Sequence, residues 1–95
     1  MKSTGNFVLR TVGKETILIP CGIMTEEVGG VITLSDTAAF IYTNAQKTGS
    51  FEELVFCMGR EYGIASEECR EDLRETLELM KKKGMLEETD GEKGW

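Results

Sequence analysis

The 95-residue sequence contains no histidine. Because histidine is the commonest general base and a common metal ligand, its absence removes every Ser-His or Cys-His nucleophile arrangement. Three cysteines, Cys21, Cys57 and Cys69, are an odd number without C-x-x-C spacing, which argues against a disulfide framework and a zinc site. We interpret them as small buried apolar residues rather than redox groups. We therefore expect a protein that is not an enzyme and holds neither a metal nor another cofactor.

Positive charge and long apolar runs are also scarce. The chain has 11 basic and 17 acidic residues, giving a net charge of −6. Domains that bind nucleic acid usually carry a positive excess, so we expect no nucleic-acid partner. No apolar run approaches the ~18 residues of a membrane span, which predicts no membrane partner. The N-terminal residues lack the apolar segment of a signal peptide, and we expect one cytoplasmic domain.

The stretch 30–46, GVITLSDTAAFIYTNAQ, joins a predicted strand directly to a predicted helix. Residues 31–34 are rich in β-branched side chains, which favours a strand. Ser35 and Asp36 can accept hydrogen bonds from the N–H groups of a first helical turn. Helical spacing then follows at Ala38, Ile41, Tyr42 and Ala45.

The residues before this joint favour strands and those after it favour helices. Residues 7–12 and 16–19, separated by a short turn, predict a β-hairpin that Pro20 ends. We expect residues 1–6 to be loose and residues 21–29 to form an exposed loop. This order predicts an antiparallel pairing of the first two strands ahead of the strand-to-helix joint.

Three helices are predicted, the first ending near Lys47. Ser50 and Glu53 form a capping box at the start of the second helix. That helix has an apolar face at Phe51, Leu54, Val55, Met58 and Tyr62. Ser66 is the predicted cap of a third helix over residues 67–83, with an apolar face at Cys69, Leu73, Thr76, Leu77 and Met80. We expect Leu73 and Leu77 to be buried against the other helices.

The order of elements predicts an α+β fold, with a small three-stranded antiparallel sheet followed by a three-helix bundle in a winged-helix-like layout. The domain spans residues 7–88 in this prediction. Met85 and Leu86 fold back onto the core. Residues 89–95 are expected to form a flexible tail that exposes Trp95.

Three segments, residues 16–22, 30–42 and 68–86, resemble the PqqD-like family of peptide-binding domains. These domains are also called RiPP recognition elements. The middle segment resembles a signature of the form G-[LV]-I-x-L-[NS]-[ED]-T-[GA]-A-F-I-[WY]. The last segment, which ends in LMKKKGML, is like the closing helix of the family before a Gly-[LM]-[LIV] sequence.

The resemblance implies a non-catalytic peptide chaperone of natural product biosynthesis. Such a domain binds the leader segment of a ribosomally made precursor peptide and presents it to a modifying enzyme, often a radical SAM protein. The resemblance places the peptide as an added strand on Val31, Ile32, Thr33 and Leu34, against the last helix. It leaves the pathway open, whether pyrroloquinoline quinone or another product.

Four residues of the last helix, Arg70, Arg74, Leu77 and Lys81, fall on a single stripe beside its apolar face. The stripe is basic in a mostly acidic helix, and we predict that it contacts acidic residues of a bound peptide. The alternative is a solvated flank with intrahelical pairs, each worth a few tenths of a kcal/mol.

A winged-helix DNA-binding regulator and a structural subunit of a larger complex are the alternative functions. A DNA reader needs basic residues on its recognition helix, whereas the third helix opens with Glu67, Glu68, Glu71 and Asp72. A short sheet with an open edge can pair with itself. We therefore expect a monomer or a weak homodimer.

Overall fold

The computed structural model describes residues 1–89 and 94–95 and shows the α+β class predicted from the sequence. Its strands are β1 Lys2–Ser3, β2 Phe7–Val12, β3 Glu15–Pro20, β4 Ile32–Leu34 and β5 Leu86–Glu87. Its helices are α1 Met24–Val28, α2 Asp36–Ala45, α3 Phe51–Tyr62 and α4 Ser66–Lys82. None of the helices in the described ranges has the length and apolar character needed to cross a membrane.

The predicted three-stranded antiparallel sheet is present in the order β2-β3-β4. A two-residue turn, Gly13 and Lys14, connects β2 to β3. Gly13 has a φ of 63° and no described non-glycine residue has a positive φ, which makes this a type II′ turn. Such a turn has the twist of its flanking strands and fixes their register, with Val12 opposite Glu15.

The N-terminus is ordered, contrary to the expectation for residues 1–6. Lys2 pairs with Glu87 and Ser3 with Leu86 in a second, two-stranded antiparallel sheet. Met1 is buried in the core. The prediction was wrong because the partner of this short polar strand, Leu86–Glu87, is more than 80 residues away in the sequence. Met85 and Leu86 fold back onto the core, as expected.

Residues 21–29 contain the short helix α1 rather than only an exposed loop. Gly29 ends this helix with a φ of 71°, the left-handed conformation that glycine adopts without a side-chain clash. Met24 and Val28 pack against the core from the inner side of α1. This apolar pair, four residues apart, is the helical signal that the two glutamates between them obscured.

The predicted caps of the first two long helices are present. Ser35 Oγ accepts a hydrogen bond from the Ala38 amide at 3.1 Å. Ser50 Oγ accepts one from the Glu53 amide at 3.2 Å. The Glu53 carboxylate accepts from the Gly49 amide at 2.6 Å, one residue before the usual capping-box partner.

The start of α4 differs from the prediction by one residue. Ala65 is the extended N-cap residue and Ser66 is the first residue of the helix, without a side-chain capping bond. The Ala65 carbonyl accepts from the Glu68 amide at 3.0 Å, so the first turn closes on the backbone alone.

The core lies between the inner face of the sheet and the apolar faces of α2, α3 and α4. Leu73 and Leu77 are buried in it, as predicted. Leu18 and Leu34 contribute from the sheet. Tyr62 differs from the other residues of the predicted α3 face, because it is 41% exposed. Its ring packs edge-on against Phe40, with centroids 5.5 Å apart.

Of the predicted tail, residues 90–93 lie outside the described residues. Gly94 and Trp95 lie at the start of α3, where the Phe51 amide donates to the Gly94 carbonyl at 2.9 Å. Trp95 was expected to be exposed, but it is half-buried and packs against the core. Its indole ring covers apolar surface that a terminal position in the sequence does not reveal.

Candidate functional site

β4 is an edge strand of the three-stranded sheet. It pairs with β3 on one side, with Ile32 opposite Leu18 and Leu34 opposite Thr16. No strand in the described part of the chain pairs with its other side. Such an edge presents N–H and C=O groups to which another extended chain can bond.

The β2–β3 turn determines which backbone groups of β4 are available. In a two-residue turn the flanking residues, Val12 and Glu15, face each other as a hydrogen-bonded pair. Because such pairs alternate along an antiparallel ladder, the odd-numbered residues of β3 bond to β2 and the even-numbered ones to β4. Ile32 and Leu34 therefore bond to β3. The N–H and C=O of Thr33 point away from the sheet, toward the open edge.

The adjoining residues hold this edge in a fixed position. Leu34 is buried in the core and is followed directly by the Ser35 cap of α2. Ile32 is half-buried on the same face of the strand, whereas Thr33 is exposed on the other face. Val31, just before the strand, is 54% exposed. A strand that is anchored at its end and open along its side is preorganised for pairing.

Two cavities lie beside α4, and β4 borders one of them. One, of about 390 Å³, lies between the start of β4 and the end of α4 and is lined by Met24, Glu27, Val28, Ile32, Lys82 and Lys83. The other, of about 170 Å³, lies just beyond the end of β4, among α2, the end of α3 and the first half of α4. Its lining includes Thr37 and Ile41 of α2 and Glu68, Asp72 and Thr76 of α4. We call the open edge of β4 and these two cavities the β4–α4 groove.

β4 and α4 run in opposite directions along this groove. Ile32, at the start of β4, shares a cavity with Lys82 and Lys83 at the end of α4. Thr37, just beyond the end of β4, shares the other cavity with Asp72 in the first half of α4. The start of the strand is therefore near the end of the helix.

Arg70 of the predicted stripe contacts α3. Its Nη1 lies 2.7 Å from Glu52 Oε1, and its guanidinium lies 5.7 Å from the centre of the Phe51 ring. This hydrogen-bonded pair lowers the pKa of Glu52 and raises that of Arg70. The exposed pair links the start of α3 to the first half of α4.

Arg74 and Lys81 also have partners on this flank. The Arg74 guanidinium lies 4.1 Å from the centre of the Phe51 ring, and its Nη1 donates to the Trp95 carbonyl at 3.3 Å. Lys81 Nζ lies 3.3 Å from Glu78 and 3.7 Å from Glu88. Neither cavity of the β4–α4 groove includes Arg70, Arg74 or Lys81 in its lining.

Leu77 is 3% exposed and packs in the core, so in this structure it offers no surface to a ligand. The structure thus brings Ile32 together with Lys82 and Lys83, which were not predicted as site residues. The sequence contains the missed signal, because Glu68, Asp72 and Thr76 recur every four residues and so share one helical stripe. From the sequence, Thr76 was instead assigned to the apolar face of the helix and Glu68 and Asp72 to its acidic start.

The groove offers backbone hydrogen bonds, apolar surface and charges of both signs. Within the described ranges no three His, Cys, Asp or Glu side chains cluster as metal ligands would. Backbone hydrogen bonds together with side-chain pockets are the means by which a protein recognises an extended peptide.

The family model for Coenzyme PQQ synthesis protein D (PqqD) matches residues 21–86, more than half of the chain. The chain belongs to the PqqD family. The match confirms the resemblance found in the sequence and includes both walls of the β4–α4 groove. The β2–β3 hairpin of this PqqD-family chain lies outside it.

A solved structure, TbiB1 in complex with the TbiA(beta) leader peptide, is similar to this PqqD-family chain. The TM-score is 0.70 and the sequence identity 21%, over 95% of this chain and 100% of the other. At that identity the similarity shows a shared fold. None of the curated proteins matches the chain.

Proposed function

We infer that this PqqD-family domain binds an extended segment of a ribosomally made precursor peptide, its leader segment, in the β4–α4 groove. The observation that carries the proposal is the open edge of β4, where the Thr33 N–H and C=O face outward. An incoming strand would take its affinity from these backbone groups and its selectivity from the cavities on either side.

The comparisons support a leader peptide as the ligand. The similar TbiB1 structure is a complex with a leader peptide. Membership of the PqqD family supports a non-catalytic role, in which the domain presents the peptide to a modifying enzyme. A radical SAM protein is the enzyme class that we propose. A radical SAM gene beside this gene would support that assignment.

The charges of α4 argue against the DNA-binding alternative. Glu67 and Glu68 occupy the first turn of the helix that would have to enter the major groove. A protein that neutralises phosphates needs lysines and arginines there. Arg70 and Arg74, the basic residues that follow, already contact Glu52 and the Phe51 ring.

An NMR titration tests the proposed function. The ligands are synthetic N-terminal segments of the short open reading frames that adjoin the gene, and duplex DNA is the comparison. We expect amide shifts at residues 30–34 and along the groove side of α4. Amide shifts confined to the β2–β3 hairpin or α3 would contradict the proposal. Amide shifts that duplex DNA causes and none of the peptides causes would contradict it as well.

The contribution of Arg70, Arg74 and Lys81 to peptide binding stays a prediction. A peptide that recruits them has to displace their present partners, so we expect them to contribute less than the charges that line the groove. Arg74→Glu and Asp72→Lys are charge reversals of the two flanks of α4. A larger loss of affinity in Arg74→Glu, with folding intact, would assign binding to the basic stripe.

A further inference from the structure

We propose that the β4–α4 groove selects peptides by the order of their charges, with basic residues toward the peptide N-terminus and acidic residues toward its C-terminus. This rests on the proposed function and adds the chemistry of the ligand to it. The proposal follows from the charges at the two ends of the groove and from the direction in which a bound peptide would run.

The end of the groove beside α2 is acidic. Glu68 and Asp72 line its cavity together with Thr37 and Thr76. Both carboxylate residues are exposed, and within the described ranges neither makes an ion pair. Arg70, about half a turn from both of them and so on the other flank, is held by Glu52 at 2.7 Å. The acidic end therefore has charge to offer to a basic ligand.

The end of the groove beside α1 has a basic excess. Lys82 and Lys83 line this cavity, and among the described residues neither makes an ion pair. Glu27 of α1 also lines the cavity, leaving one net positive charge. Lys81 differs, since Glu78 and Glu88 lie within 4 Å of its Nζ. An acidic ligand residue at this end would gain two lysine donors.

The direction of the peptide follows from the sheet. A strand that continues the antiparallel order runs opposite to β4 and therefore in the direction of α4. Its first residues lie beside Glu68 and Asp72, and its last residues lie beside Lys82 and Lys83. The helix rises ~22 Å from Glu68 to Lys83, the length of about seven extended residues.

The expected selectivity is modest and measurable. Two or three solvent-exposed ion pairs that form in one peptide orientation and are lost in the other amount to about a tenfold ratio of dissociation constants. The ratio should shrink as salt rises, because exposed charges are screened within a Debye length of ~8 Å at physiological ionic strength.

Selection from a displayed library of random ten-residue peptides tests this without a known ligand. The targets are the wild-type domain, a groove variant with Asp72→Asn and Lys83→Gln, and a control variant with Lys14→Gln and Glu75→Gln. The control removes one charge of each sign outside the groove cavities. Neutral side chains avoid the folding penalty of reversing charges near the helix ends. Thr33→Pro supplies the background, and selected peptides are resynthesised with their charged ends exchanged.

We expect the wild-type and control domains to select an apolar centre with a basic N-terminal and an acidic C-terminal flank. Exchange of the flanks should raise the dissociation constant about tenfold for the wild type and only about threefold for the groove variant, which keeps Glu68 and Lys82. Peptides enriched over the Thr33→Pro background without this order, or a full effect of about tenfold from exchanging the flanks on the groove variant, would overturn the inference and leave the proposed function standing. No enrichment over that background would overturn both.

Discussion

Leu77 belongs in sequence to a stripe with Arg70, Arg74 and Lys81, yet only the leucine is buried. A helix side chain at the border of the apolar face can turn either to the core or to a ligand, and spacing alone does not separate the two. Burial at 3% assigns Leu77 to the core. The three cations remain outside the core, where Arg70 and Arg74 contact α3 and Lys81 pairs with Glu78 and Glu88.

Replacing Leu77 by alanine should lower the free energy of unfolding by about 2–5 kcal/mol, because it leaves a cavity among buried side chains. Leu79→Ala is the matched control. Leu79 is 51% exposed, so that change should stay within about 0.5 kcal/mol. Chemical denaturation measures both. Loss of peptide affinity in Leu77→Ala with an unchanged denaturation midpoint would place Leu77 in the groove instead.

Glu52 should titrate below the ordinary glutamate pKa of 4.5, because Arg70 donates to its carboxylate in the folded state. A folded pKa below the unfolded one means that the pair stabilises the fold above pH 4.5 and loses that effect as the pH falls through the folded pKa. Side-chain carboxyl NMR measures the midpoint. Arg70→Gln should raise it, and Arg10→Gln should leave it unchanged. Equal midpoints in wild type and Arg70→Gln would show that the ion pair does not form in solution.

At the scale of the element, β4 contributes through its backbone. Thr33→Pro removes the N–H that faces the open edge and leaves the Ile32 and Leu34 bonds to β3 in place. We expect peptide affinity to fall at least about tenfold, the loss of one hydrogen bond whose partner is left unpaired. The denaturation midpoint should stay near that of the wild type. Isothermal titration and denaturation measure the two quantities.

Thr11→Pro is the matched control for this strand. Thr11 lies in the other edge strand, β2, opposite Thr16, at a position whose N–H also faces outward by the same alternation. The Thr11→Pro variant should leave both the peptide affinity and the denaturation midpoint unchanged. A stability loss in Thr33→Pro alone would show that the Thr33 amide bonds to β3. Equal affinity losses in the two variants would show that the peptide does not add to β4.

The elements that the sequence predicted are those with a strong local signal. Ser35 and Ser50 cap their helices because a short hydroxyl side chain precedes an apolar helical pattern. α1 was missed because only Met24 and Val28 mark its inner face over five residues. The predicted N-cap of α4, Ser66, was wrong by one residue. Ala65 takes that position because backbone hydrogen bonds alone can close the first turn of a helix.

At the scale of the whole molecule, distant parts of the chain form the groove and close the core. The first residues pair with Leu86 and Glu87, and Trp95 packs near the start of α3. These contacts join the two ends of the sequence, so no local pattern predicts them. The same holds for the site. Spacing placed the cations on one stripe, but only the packing of α4 on α3 shows that Arg70 and Arg74 contact α3.

The open edge of β4 also bears on self-association, and we expect a monomer at low micromolar concentration. The edge is three residues long and offers the backbone groups of Thr33 alone, whereas a stable interface buries on the order of 1,000 Å² or more. A net charge of −6 adds repulsion between copies. Sedimentation velocity should show a mass that rises only at high concentration, and Thr33→Pro should suppress that rise. A dimer whose mass does not change with concentration would contradict this, and its persistence in Thr33→Pro would place the contact on another surface.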